Sequence, residues 1–186
     1  MHRRLLISLL LTGVCCLFNT VHAQPRDTSY NIRSNYNKLK KDYPFVTPIA
    51  PAMPRKVKAD WNVVYRNLPG RQLHLDIFFP PLKKKKRYPA ILMIHGGGWA
   101  SGTKDHQVPM AQQLAAKGYV AAAVEYRLSP EAPYPAGVND LKEALRWLRS
   151  QADQYGIDTR KIAVLGCSAG AQLASLLGTA GQIEYF

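Results

Sequence analysis

The sequence predicts an α/β fold, a mostly parallel sheet entered through an N-terminal antiparallel hairpin. Three observations carry that prediction. Short apolar runs at 90–94, 119–124 and 161–165 have the length and composition of strands buried on both faces. Segments of helical length and pattern lie between or after them, at 108–117, 138–155 and 171–177. Strands alternating with such helices pair in parallel through right-handed crossovers. Upstream, Asn62-Val63-Val64-Tyr65 and the alternating run from Gln72 to Phe78 flank the turn Leu68-Pro69-Gly70-Arg71, which reads as a hairpin at a sheet edge.

Residues 1–23 read as a signal peptide rather than as part of the fold. His2-Arg3-Arg4 is a basic start, 5–18 is mostly apolar, and Val21-His22-Ala23 fits small-residue cleavage. The apolar stretch is short for a membrane span, so an exported protein without an integral membrane segment is expected. Cleavage would remove Cys15 and Cys16 and leave Cys167, which is expected to be a small buried filler with no disulfide partner. Residues 24–60 form a proline-rich extension (Pro44, Pro48, Pro51, Pro54), with a short helix about 34–42. The folded domain is expected over 61–186.

The chain is strongly basic, with a formal net charge of +13. Its densest run, Lys83-Lys84-Lys85-Lys86-Arg87, lies between Pro80-Pro81 and Pro89 and reads as a solvated hairpin tip, with contact to an acidic polysaccharide or an anionic envelope surface as the alternative. No recognition-helix, RNA-binding or metal-ligand spacing accompanies it, which argues against nucleic acid. His74 is expected to be a half-exposed strand histidine.

In the second half, the helix at 108–117 stops at Gly118. A second helix over 138–155 carries Leu141, Leu145 and Leu148 on one face, with Trp147 at its edge. Asp140 near its start is expected to interact with the helix dipole and to pair with Arg127, not to act as a catalytic acid. Residues 157–159 are read as a connecting loop.

Two motifs carry chemistry. Gly166-Cys167-Ser168-Ala169-Gly170 follows an apolar strand and opens an Ala/Leu-rich helix, the context required of a nucleophile elbow. His95-Gly96-Gly97-Gly98-Trp99 follows the strand at 90–94, and consecutive glycines let backbone N–H groups face a ligand. In acyl transfer such groups bind the oxyanion of the tetrahedral intermediate.

With these two motifs, and with Glu125-Tyr126-Arg127-Leu128-Ser129-Pro130, Tyr134-Pro135-Ala136 and Asp140, the chain from about Trp61 resembles the N-terminal part of an α/β-hydrolase serine esterase of the His-Gly-Gly-Gly type. That group includes hormone-sensitive-lipase-like enzymes and bacterial carbohydrate acetyl and feruloyl esterases. The resemblance implies Ser168 as nucleophile and the N–H groups of Gly97, Gly98 and Ala169 as the oxyanion hole. It implies His95 as a support of the loop, and Trp99 is expected to wall the acyl pocket. His95 and His106 are disfavoured as bases, although His106 is placed where it could line the pocket. No cofactor or metal is called for.

The family's acid and histidine lie downstream of the serine, and the sequence given ends at Phe186. The sequence alone therefore leads us to expect an α/β-hydrolase domain truncated after the nucleophile helix, with little activity by itself. The expected substrates are small acyl esters or esters of polysaccharides. Competing readings are a lipase or serine peptidase of the same fold, or a non-catalytic envelope-binding protein.

Overall fold

The computed structural model describes residues 29–180. The signal-peptide reading of residues 1–23 lies outside them. Helix α1 (Ile32–Asp42) is capped by Asn31, whose side chain accepts from the Ser34 N–H while Ser34 answers through its hydroxyl. None of its side chains is buried.

Strands β1 (Lys58–Leu68) and β2 (Arg71–Phe79) form the hairpin, turning at Gly70 with φ +72°. The predicted extension thus gives up its last residues to β1. β3 (Tyr88–Ile94), β4 (Val120–Val124) and β5 (Ile157–Gly166) complete a sheet of order β1-β2-β4-β3-β5. β3 pairs in parallel with both β4 and β5, and β2 joins β4 antiparallel.

This order corrects one expectation. Lys83–Arg87 is no hairpin tip, because β2 and β3 are not neighbours; the run connects them across the start of β4. Its five residues are exposed as predicted. A second correction concerns 157–159, which belong to β5: Gly156, at φ +65°, ends the preceding helix abruptly, and Ile157 pairs with Tyr88 at once. A bulge then separates that pair from Ala90–Ile162.

A 3-10 turn (Lys104–Gln107) leads into α2 (Val108–Ala116), which Gly118 follows at φ +94°. The single helix expected over 138–155 is two, α3 (Ala136–Ser150) and α4 (Ala152–Tyr155), broken at Gln151. Asp140 therefore sits in the second turn of α3 rather than at its start. Helix α5 (Ala169–Thr179) follows β5 directly.

Helices cover both faces of the sheet, so strands need apolar side chains on both sides. Leu75, Leu92, Ile94 and Val124 meet Leu141, Leu148 and Leu173 of α3 and α5 on one face. Phe78, Met93 and Ala121 meet Val108, Ala111 and Ala115 of α2 on the other. That two-sided cover is why 90–94 and 120–124 read as continuous apolar runs. Among the described residues β5 is an edge strand, and no helix is long and apolar enough to cross a membrane.

Candidate active site

The carboxyl ends of β3 and β5 meet at one point, and glycine decides how closely. A Cβ placed on Gly96 would lie 2.7 Å from the Cys167 carbonyl oxygen and 3.2 Å from Ser168 Cβ. The loop after β3 and the turn after β5 are therefore in backbone contact. The Cys167 N–H donates to the Ile94 carbonyl at 3.3 Å and ties the turn to β3. Gly166 and Gly170 lie backbone against backbone, and a Cβ on Gly170 would come within 2.6 Å of the His95 carbonyl oxygen. No other residue fits these places.

Ser168 stands at the sharp point of this turn with φ +53° and ψ −121°, a conformation that costs a non-glycine residue about 1–3 kcal/mol. Its carbonyl accepts from the N–H groups of Ala171 at 2.8 Å and Gln172 at 3.2 Å, the first turn of α5. Its side chain is exposed, and among the described residues none hydrogen-bonds its Oγ. Cys167, expected to be buried, is exposed. It lies at the end of β5, whose far side carries no neighbour among the described residues.

The loop facing Ser168 is held by its carbonyls, not by its amides. The Gly97 carbonyl accepts from the N–H groups of Ala100 at 3.2 Å and Ser101 at 3.0 Å, and from the Ser101 hydroxyl at 3.0 Å. Gly97 has φ +126° and Gly98 φ +61°, with open space around the Cα of Gly98. Among the described residues the N–H groups of Gly97, Gly98 and Ala169 are left without a hydrogen-bond acceptor. Ser168 precedes the N-terminus of α5, where the backbone dipoles favour negative charge.

His95 is wholly buried beneath the loop. Its Nδ1 lies 2.8 Å from the Gly96 carbonyl oxygen, an acceptor, which assigns the proton to that nitrogen. Its ring stacks on Tyr126 with centroids 4.7 Å apart, and the Tyr126 hydroxyl donates to the His95 carbonyl. His106 lies in the 3-10 turn, with Nδ1 2.9 Å from the Thr103 carbonyl oxygen and its ring 5.1 Å from that of Tyr30. It does not line the pocket, contrary to the expectation. His74 is a strand histidine, 3.2 Å from Glu125.

A pocket of about 360 Å³ is lined by Gly98 and Trp99 of the glycine loop and by Gln172 and Leu173 of α5, the helix that Ser168 precedes. Trp99 lies at its mouth, and its indole N–H donates to Gln172 at 3.3 Å. Tyr126, Arg127, Ser129 and Tyr134 line the rest. Arg127 is positioned by Asp140, wholly buried, which accepts from its Nε and Nη2 at 2.8 Å each. These hydrogen bonds raise the guanidinium's pKa above its ordinary value. Arg66 of β1 donates to the same carboxylate.

Four contributors were not singled out from the sequence. Ser101 holds the Gly97 carbonyl. Gln172 could have been found from its spacing, four residues after Ser168 and so on the same helix face. Lys104, partly buried, and Asp76, wholly buried, form an ion pair at 2.6 Å that pins the chain after the glycine loop to β2, across a separation no local pattern reveals.

The BD-FAE family matches residues 75–186. Carboxylesterase NlhH of Mycobacterium tuberculosis is 38% identical over 102 residues, 54% of this chain and 32% of the relative. Ethyl acetate hydrolase of Pseudomonas putida is 40% identical over 110 residues, 58% of this chain and 35% of the relative. The chain spans about a third of the length of these curated relatives. Among solved structures, esterase 2 of Thermogutta terrifontis is similar, with a TM-score of 0.58 and 35% identity over 68% of this chain and 45% of that one. It has also been seen phosphorylated by paraoxon.

Proposed function

The chain belongs to the BD-FAE family, and from that premise we propose that it carries the nucleophile and oxyanion-binding part of an exported serine carboxylic ester hydrolase. Ser168 Oγ attacks the ester carbonyl, and the developing oxyanion is met by the N–H groups of Gly97, Gly98 and Ala169. Each such donor is worth about 10²–10³ in rate, because it is aimed before the charge appears. His95 acts from beneath, holding the Gly96 carbonyl so that the loop's amides point outward. The observation that supports this best is the backbone contact between Gly96 and Cys167, where a Cβ on Gly96 would come within 2.7 Å of the Cys167 carbonyl oxygen and so no side chain fits beside the Ser168 turn.

The acyl or leaving group would occupy the pocket beside Trp99. Its volume of about 360 Å³ far exceeds an acetyl group and falls in the range typical of small-molecule sites, roughly 300–1,000 Å³. Aromatic walls from Trp99, Tyr126 and Tyr134, with polar groups from Ser129 and Gln172, suit a feruloyl-type aromatic acyl group or a sugar carrying a short acyl ester.

A serine hydroxyl needs a base. His74, His95 and His106 are each hydrogen-bonded elsewhere. Among the described residues no histidine is placed to serve as that base, so the 186 residues are expected to turn over esters at the rate the oxyanion site alone supports, about 10³–10⁴ over water and some millionfold below a complete triad. The test is hydrolysis of p-nitrophenyl acetate by this chain and by Ser168→Ala. Slow turnover that Ser168→Ala abolishes is expected. Turnover indifferent to Ser168→Ala contradicts the assignment, and rapid Ser168-dependent turnover contradicts the residual rate.

A further inference from the structure

The strand directions collect positive charge at one end of the molecule. β3, β4 and β5 start at the end where β2 finishes and β1 begins. Lys58 opens β1 there, just after Arg55 and Lys56. Lys83–Arg87 passes between β2 and β3, and Lys117 precedes β4. Arg160 and Lys161 occupy the bulge near the start of β5. All are exposed. The strip crosses five strands, about 19 Å at ~4.8 Å per gap. β3 rises from it for seven residues, so Ser168 lies about 20 Å away at ~3.3 Å per residue.

The carboxylates at this end are already engaged. Asp153 pairs with Arg87, Asp158 with Arg160, and Asp60 accepts from the Tyr155 hydroxyl. Among the described residues Lys83, Lys84 and Lys85 have no ion-pair partner, and they border an open groove of about 270 Å³ with Leu82 and Gly156. The unpaired charge bordering the groove is thus lysine ammonium, away from the ester site.

We propose that this end of the sheet docks a carboxylate-bearing polysaccharide. Point-charge ammonium groups suit carboxylates spaced along a flexible polymer. Arg87 at the groove and Arg160 near the start of β5 spend their forks on aspartates. Among the described residues the exposed rings at this end, Trp61 on β1 and Tyr119 before β4, belong to strands that are not neighbours and form no stacking row, which disfavours nucleic acid. Leu82 is a single exposed aliphatic residue beside the groove, too little apolar surface to enter a lipid interface. Held at this end, a polymer chain leaves the mouth of the Ser168 pocket open and raises the local concentration of ester groups around it. The choice of a polysaccharide rests on the ester reading of that pocket; the charge strip does not.

Migration of the 186-residue chain through native gels containing polygalacturonate tests this without catalysis. Retardation is expected in low salt and should weaken as salt screens the charges. The triple variant K83E/K84E/K85E should bind at least tenfold more weakly, whereas K38E/K40E/K41E on α1, with the same change in net charge, should lose less than twofold. Ser168→Ala should bind as the parent does, so a failure of the ester reading and a failure of docking are separable. Equal losses in both triple variants overturn the proposal. Equal retardation by neutral dextran does so too, as does tighter binding to phosphatidylglycerol vesicles or duplex DNA at the same salt. Circular dichroism of each variant verifies that exposed-site charge reversal has left the fold intact.

Discussion

The first and last turns of α5 each contain a glycine, and the two have opposite meanings. Gly170 is buried against the carbonyls of Ile94 and His95, with no room for a methyl group. Gly178, two turns later, has nothing within 4 Å of where a Cβ would be. One glycine exists because two backbones touch; the other merely lowers helix propensity. The contrast locates the turn at which the chain accepts backbone strain. The same turn that excludes a side chain at Gly170 holds Ser168 at φ +53°.

Gly170→Ala should have the largest effect. Its neighbours are carbonyls rather than flexible side chains, so relief requires moving β3 or α5. A loss of about 3 kcal/mol or more is expected in urea denaturation, with reactivity at Ser168 abolished. A loss below about 1 kcal/mol would mean that the contact is looser than described. Leu173→Ala, three residues on, tests ordinary packing against β3. Leu173 is buried in the core, and about 2–4 kcal/mol should be lost while Ser168 keeps its position.

Tyr65→Phe probes the polar layer at the same end of the sheet. The Tyr65 hydroxyl donates to the Glu125 carbonyl, and burial, with Asp140 and Glu125 nearby, raises its pKa well above 10.0. The unfolded chain's tyrosine ionises near pH 10 while the folded one stays neutral, so this contribution is present below about pH 10 and is lost as pH rises further. Tyr65→Phe should cost about 1 kcal/mol at neutral pH and flatten the alkaline decline. An unchanged decline would assign it to other groups. Gly178→Ala should have the smallest effect, neutral to about 1 kcal/mol stabilising. Destabilisation there would erase the contrast between the two turns.

The sequence made the local half of this legible. Gly-x-Ser-x-Gly and His-Gly-Gly-Gly are contiguous, and each follows an apolar strand, so their placement at strand ends could be read from neighbours in the chain. The pairing of Arg127 with Asp140 spans 13 residues and was within reach. Arg66 on the same carboxylate, 74 residues from it, was not. Nor was the strand order, which turned the supposed lysine hairpin tip into a crossover. Cys167 was misjudged for a related reason: an apolar strand announces buried faces, but exposure at its end depends on which strand lies alongside.

The central claim is geometric, that an oxygen built on Ser168 meets amides from both the glycine loop and the start of α5. A crystal structure of the chain after prolonged alkaline incubation with a fluorophosphonate tests it directly. The account predicts phosphorus bonded to Ser168 Oγ, with the phosphoryl oxygen about 2.7–3.1 Å from the N–H nitrogens of Gly97, Gly98 and Ala169. An adduct on another residue, or a phosphoryl oxygen directed into solvent away from those amides, would contradict it.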